Sequence, residues 1–192
     1  MNTRRVHRKR KGASLVEVVT ASTISVLVLT GAYAALLSGS KTWIKGSGAM
    51  DAEATAQRAV RKIANELRQA MSVTVDANGL GLSYRMPVVD GNGSYTVPPV
   101  WDNVVRRVEL NGSNLNIVTD GSTDRIASGV ILTDPLSSGG TGTYRIFTAG
   151  AGTITRQVTV QVVVQKNTVG TYTKQSRNRE TIFLRNIPEL IR

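Results

Sequence analysis

Glu17 is the first residue whose chemistry needs an explanation, because it is the only charged residue between positions 13 and 37. That stretch reads ASLVEVVTASTISVLVLTGAYAALL and is otherwise composed of apolar, small and hydroxyl-bearing residues. A carboxylate in the hydrocarbon core of a membrane costs about 2.5–3.5 kcal/mol on insertion scales. Glu17 therefore needs a partner if this stretch lies in a membrane.

Many other chemistries are excluded by composition. Cysteine is absent and the only histidine is His7, which excludes disulfides, thiolate metal sites and cysteine nucleophiles. A chain beginning after residue 12 would also lack histidine, and with it imidazole acid–base chemistry and most hydrolase triads. Ser–Lys and carboxylate catalysis stay open on composition alone. We expect a protein that is not an enzyme and that holds no metal and no cofactor.

Positive charge is concentrated at the N-terminus. The 192 residues include 24 Lys and Arg against 13 Asp and Glu, a net charge of +11. Six of the basic residues lie within residues 1–12, so residues 13–192 carry only +5. A strongly basic chain suggests nucleic-acid binding, but a basic tract before an apolar stretch is typical of a targeting segment. We interpret residues 1–12 as a basic leader peptide.

Residues 13–37 are long enough to cross a bilayer as a helix, which takes about 20 residues. The basic residues before them predict that the N-terminal side stays in the cytoplasm. Residues 38–71 are predicted to continue this helix, first through a glycine-containing joint in which Trp43 between two lysines suits a membrane interface. No proline precedes Pro87, so one helix over about 13–72 is expected, with the glycines as the place for a bend.

The later part of this helix carries an apolar stripe at spacings of three and four. Its members are Ala52, Ala56, Ala59, Val60, Ile63, Leu67 and Ala70. Beyond residue 72 the apolar period becomes two, and turn residues recur. The predicted strands are Ser72–Asp76, Leu80–Met86, Val104–Leu110, Asn114–Thr119, Arg125–Leu132, Thr143–Thr148, Thr153–Gln165 and Arg179–Arg185. Hairpin turns are expected at Asn78-Gly79 and Asn111-Gly112, and loops at 87–103 and 133–142. We predict an α+β fold in which the helix packs on an antiparallel β-rich domain over 72–192.

The junction Arg10-Lys11-Gly12-Ala13-Ser14-Leu15-Val16-Glu17 resembles the type III signal of type IV pilin-like proteins. The resemblance implies that prepilin peptidase cleaves between Gly12 and Ala13 and that the new terminus at Ala13 is N-methylated. It also implies that Glu17 forms an assembly salt bridge with the cationic N-terminus of a neighbouring subunit. The implied partners are prepilin peptidase, other pilins or pseudopilins in a helical filament, an inner-membrane assembly platform, and lipid before assembly.

Two further segments are similar to J-type minor pseudopilins of type II secretion and to W-type minor pilins. They are Asn65-Glu66-Leu67-Arg68 and Phe183-Leu184-Arg185-Asn186. This implies a type IV pilin-like fold and a minor pilin or pseudopilin of a type IV pilus, competence pilus or type II secretion pseudopilus. The expected location is single-pass in the inner membrane, with the later domain outside the cytoplasm, and then the filament. The chain departs from the family in having Ala13 where phenylalanine is usual, and no cysteine pair.

Other interpretations stay open. Ala32-Tyr33-Ala34 fits the cleavage site of a secretory signal, and a plain membrane-anchored extracytoplasmic domain would share the same apolar helix. Asp90–Ser94 could offer oxygen ligands to calcium, although the bidentate glutamate of an EF-hand is missing. The glycines at 139–142 and 150–152 are interpreted as turns rather than phosphate loops.

A DNA- or surface-binding module displayed on a filament is the alternative function. It would use Arg106-Arg107 and Arg177-Asn178-Arg179, for which exposed strand charges are the ordinary explanation. Nucleic acid is therefore kept as a partner that the sequence does not favour. Trp101 is expected to anchor its loop on the sheet.

Overall fold

A computed structural model describes residues 12, 14–96, 99–135, 137, 142–151, 156–167 and 173–184. The chain divides into two compact units, Met1–Trp43 and Ile44–Arg192. Its elements are α1 (Leu15–Gln69), β1 (Ser72–Val75), β2 (Gly81–Arg85), β3 (Arg106–Asn111), β4 (Asn114–Thr119), β5 (Ser122–Ser128), β6 (Thr133–Asp134), β7 (Gly142–Thr143), β8 (Phe147–Ala149), β9 (Gln157–Asn167) and β10 (Thr173–Phe183). All described strand pairs are antiparallel, so the predicted α+β class is confirmed.

Helix α1 is a single element of 55 residues, close to the predicted bounds. It begins after Ser14, whose carbonyl accepts the first helical hydrogen bond from the Val18 N–H at 3.1 Å. It ends with a tighter turn, in which the Ala70 N–H donates to the Leu67 carbonyl at 3.1 Å. The Met71 N–H then donates to the Arg85 carbonyl, so the chain enters the sheet directly after the helix.

The first sheet is a meander in the order β1-β2-β3-β4-β5. Asn111 pairs with Asn114, so the β3–β4 turn consists of Gly112 and Ser113, one residue later than expected. The β4–β5 turn uses Asp120 and Gly121 with φ angles of 45° and 78°. Positive φ at both central positions is what a type I′ hairpin turn requires. This Asp-Gly signal was missed, and β5 consequently begins three residues before the predicted Arg125.

The second sheet has the order β10-β9-β8, with β9 at its centre. Strand β10 pairs with β9 along its full length, while β8 pairs with the first part of the opposite edge, from Phe147↔Val160 to Ala149↔Val158. Val130, just beyond β5, forms an isolated bridge to Val164 further along that edge. The chain thus first contacts the second sheet between β5 and β6, and it joins that sheet as a strand at β8.

Tyr144 joins the segments along this edge of β9. Its hydroxyl donates to the Ile131 carbonyl at 2.7 Å and accepts from the Val163 N–H at 2.9 Å. Burial raises the pKa of Tyr144 to about 12, so the hydroxyl keeps its proton at neutral pH and fills both roles. The side chain therefore adds to the backbone bond by which the Ile131 N–H donates to the Val163 carbonyl at 3.0 Å.

One core lies between the helix and both sheets. All seven residues of the predicted stripe are at most 1% exposed, which confirms that prediction. They share the core with Leu82, Tyr84, Val108 and Leu115 from the first sheet and with Phe147, Val158, Val160, Val162, Val164 and Ile182 from the second. Three ion pairs flank it: Asp51–Lys166, Lys62–Asp124 and Arg68–Glu180. Because these pairs are partly exposed, each contributes only about 0–1 kcal/mol, and burial of the stripe dominates.

Three further predictions were wrong. The expected strand Thr143–Thr148 is divided, because β7 ends at Thr143 and β8 begins at Phe147. The expected loop 133–142 contains a short ladder between β6 and β7. Strand β10 begins at Thr173, six residues before the predicted start, because full-length pairing with β9 outweighs its lack of apolar alternation. Arg185 and the segment 152–155, which belong to predicted strand ends and a predicted turn, lie outside the described residues.

The buried stripe leads to a test of stability. In a fragment of residues 49–192, which we expect to be soluble and folded, Leu67→Ala should lower the free energy of unfolding by about 2–5 kcal/mol. Leu67 is 0% exposed, and its truncation leaves a cavity. Urea unfolding followed by circular dichroism measures the change. The control Arg61→Ala alters an exposed position of the same helix, and equal losses for the two variants would contradict the packing described.

Candidate functional site: the exposed apolar helix

The first part of α1 is apolar and exposed on every side. Val26, Leu27, Val28 and Leu29 are consecutive, and their side chains are 61–68% exposed. Four consecutive residues go once round a helix of 3.6 residues per turn. No face of this segment is therefore covered by the part of the chain that the structure describes. The helix is long and apolar enough to span a membrane, by length and composition.

The hydroxyl residues of this segment are bonded within the helix itself. Thr23, Ser25 and Thr30 each donate to the carbonyl four residues earlier, at 2.8–2.9 Å. Thr20 and Ser22 make the same bond. Backbonding of this kind satisfies a hydroxyl without an outside partner. These internal bonds reduce the polarity that the hydroxyl groups present to a surrounding lipid or protein. The segment is therefore less polar toward its surroundings than its residue types suggest.

Glu17 differs from these hydroxyl residues. It lies in the first turn of α1, where the partial positive charge of the helix dipole favours a carboxylate. Ser14 and Glu17 have the spacing of a capping box, but neither side chain bonds the other's backbone amide among the described contacts. No described residue pairs with the Glu17 carboxylate, which is exposed. Among the described residues, its only local stabilisation is therefore the end of its own helix.

The other predicted processing residues are placed only in part. Gly12 is described and exposed, and a Cβ added to it would meet no atom within 4 Å. The chain itself therefore tolerates a side chain at this position. Ala13, the predicted new N-terminus and methylation site, lies outside the described residues, as do residues 1–11 of the predicted leader.

The arginines considered for DNA contact are mostly engaged with carboxylates. Arg106 pairs with Asp102 at 2.7 Å, and Arg107 lies between Asp76 and Glu109. These bonds raise the pKa of Arg107, the contact with Asp76 first, and keep its charge bound locally. A phosphate backbone would have to compete with these carboxylates.

Arg177 is engaged in the same way. It donates to Asp134 at 2.9 Å, and the same carboxylate oxygen accepts from the Gln161 amide at 3.1 Å. Because Asp134 is only 9% exposed, its charge needs this cation for stability. The nearby Arg179 is exposed, and no described residue pairs with it.

The other candidate loops act as turns where they are described. Both Asn92 and Ser94 donate their backbone N–H to Asp90 Oδ1, at 3.0 and 2.8 Å, so Asp90 stabilises the turn. Among the described residues no group of three His, Cys, Asp or Glu side chains could hold a metal ion. Gly150 donates to the Gln157 carbonyl as a hairpin residue would. Gly139, Gly140 and Gly152 lie outside the described residues.

Sequence reasoning missed a surface on residues 86–105. Trp101 was expected to pack on the sheet, yet it is 47% exposed, with the Arg85 guanidinium 5.3 Å from its ring centroid. Tyr95 is similarly exposed at 49%. The available signal was a 20-residue segment that combines two aromatic residues with no Lys or Arg in a basic chain.

No protein-family model, curated protein or solved structure matches the chain.

Membrane insertion tests this description of the helix. Thr23→Val should change insertion little, because the hydroxyl already donates within the helix. Glu17→Gln should raise the inserted fraction, because it removes the one charge of the segment. Insertion into microsomes, read from protection of residues beyond Trp43 against added protease, compares the two variants. An equal increase in the inserted fraction for both variants would show that the Thr23 hydroxyl is not hydrogen-bonded within the helix.

Proposed function

We propose that this protein is a minor pilin or pseudopilin, a non-enzymatic structural subunit of a helical filament of the type IV pilin kind. One observation carries the proposal: α1 is a single helix whose first part is bare and apolar on all sides, while its second part buries a stripe under an α+β unit. Exposing so much apolar surface to water would carry a high free-energy cost for a water-soluble protein. Lipid before assembly, and neighbouring helices after it, would cover that surface.

The basic leader supports a defined orientation. Six basic residues directly precede the apolar segment, so the N-terminus would stay in the cytoplasm and the unit Ile44–Arg192 would lie outside it. Prepilin peptidase would cut between Gly12 and Ala13 and leave the apolar helix attached. Methylation of Ala13 would follow, and the subunit would leave the inner membrane for the filament through an assembly platform.

Glu17 would then provide the contact that sets the position of the subunit. Its carboxylate is exposed near the start of the helix, with no partner among the described residues. The cationic N-terminus of a neighbouring subunit at Ala13 would neutralise it inside an apolar bundle. Breaking such a desolvated pair costs about 3–5 kcal/mol. The alternative of a displayed DNA-binding module has less support, because Arg106, Arg107 and Arg177 already bind carboxylates.

The N-terminus of the mature protein tests the proposed processing. Mass spectrometry of the membrane-extracted protein should find Ala13 first, with or without one added methyl group. Gly12→Leu should block cleavage without unfolding the chain, since a Cβ at this position meets no other atom. An N-terminus at Ala35 would instead establish a secretory signal, and an intact Met1 terminus would establish a plain anchor.

Filament entry tests the role of Glu17. Both Glu17→Ala and Glu17→Gln should still be inserted and cleaved but should be depleted from sheared filaments by about 100-fold, the effect of losing about 3 kcal/mol. For a subunit present in few copies, contacts with adjacent subunits would make this depletion smaller. Immunoblots of membrane and filament fractions give the ratio, with Thr23→Val as the matched control. Normal incorporation of both Glu17 variants would rule out the pairing but not the cleavage.

A further inference from the structure

The exposed apolar side chains of the globular unit are concentrated in residues 86–105, which we call the arm. Among the described residues from Ile44 onward, five of the seven exposed large apolar side chains belong to it: Val89, Tyr95, Val100, Trp101 and Val105. The other two are Met50 and Phe183. Apolar side chains scattered over a surface need no explanation, but a concentration of them marks an interaction surface.

The described residues of the arm, 86–96 and 99–105, are held in a defined conformation. The Val88 N–H donates to the Val100 carbonyl at 2.7 Å, and the Asp102 N–H donates to the Met86 carbonyl at 2.8 Å. Arg85 lies over the Trp101 ring and keeps it at the surface. A surface ordered before contact loses less conformational entropy when a partner binds.

Charge indicates which kind of partner fits. The arm contains Asp90 and Asp102 and no Lys or Arg, although the chain as a whole carries +11. Asp102 is already paired with Arg106, whereas no described cation pairs with Asp90 at the exposed tip. The complementary surface is therefore apolar and bordered by a cation.

The outer face of β10 has this character. Arg179, Thr181 and Phe183 are all exposed and alternate along the strand, so their side chains share one face. Phe183 is 66% exposed, and no described residue pairs with Arg179. We call these three residues the β10 face. It carries an exposed aromatic ring and, about 13 Å farther along the strand, a cation with which no described residue pairs.

We propose that the arm of one copy of this chain docks on the β10 face of a second copy. The contact joins different surfaces and is heterologous, so it can continue into an open chain of subunits. The inference deepens the proposed filament function and rests on it for its biological setting.

Cross-linking between cysteines introduced into the cysteine-free chain tests the contact directly. Full-length Val100→Cys and Thr181→Cys chains are purified in a nonionic detergent, mixed, and treated with a short bis-maleimide linker. We expect an inter-chain product from this pair. The control pairs Val100→Cys with Thr123→Cys, which is exposed on β5 of the first sheet. Equal yields for both pairs, or no product from the first, would overturn the proposal.

A second set of variants separates specific docking from general stickiness. Phe183→Ser should reduce the yield of the Val100–Thr181 product by about 10-fold or more, since it removes the burial of a large side chain. Arg179→Glu should reduce it by about 2–5-fold. Met50→Ser removes an equally exposed apolar side chain outside both surfaces and should leave the yield unchanged. A loss as large for Met50→Ser as for Phe183→Ser would contradict the docking.

These results are independent of leader cleavage. A chain with Ala13 as its N-terminus that enters filaments but gives no cross-link would refute the docking and leave the filament function in place. A specific cross-link in a chain that keeps its leader would support the docking and refute the proposed processing.

Discussion

Burial of the Ala-rich stripe of α1 is the contact around which the globular unit is organised. Each of the two main sheets buries a face that needs a covering layer, and the helix contributes to the single core that both share. The small residues at 52, 56 and 59 and the larger Ile63 and Leu67 are all buried along this stripe. The Val130–Val164 bridge and the Tyr144 hydroxyl then connect the strands that follow the first sheet. Without the stripe both sheets would expose apolar faces.

The same helix has a different surface in its first part, and this difference directs the functional interpretation. A hydroxyl can donate to a carbonyl of its own helix, so Thr23 and Ser25 require nothing from outside. A carboxylate has no hydrogen to donate while ionised and therefore needs donors or cations. Glu17 receives only the favourable end of the helix dipole among the described residues. This contrast makes Glu17 the focus of assembly in the proposed filament, rather than one polar residue among several.

Charge in the globular unit acts locally. Arg106, Arg107 and Arg177 each bind a nearby carboxylate, so the net positive charge of the chain overstates what a distant polyanion would meet. The arm and the β10 face differ, since Asp90 and Arg179 are exposed on surfaces that also carry apolar side chains, and no described residue forms an ion pair with either. Surfaces of that kind are suited to contacts between proteins, where apolar area contributes most of the affinity and charges select the partner.

Sequence alone determined the features that depend on near neighbours in the chain. The bounds of α1, the stripe it buries and both ends of β4 follow from local periodicity and turn residues. The isolated charge of Glu17 and the Gly12-Ala13 junction can likewise be recognised without a structure. Only the tertiary structure decided the extent of β10, the bonds of Tyr144 and the engagement of the arginines. These depend on partners far apart in sequence, such as Asp134 and Arg177, and on the register of β9 between its neighbours. A local pattern cannot specify such contacts, because they form only when the helix and two sheets have enclosed a common core.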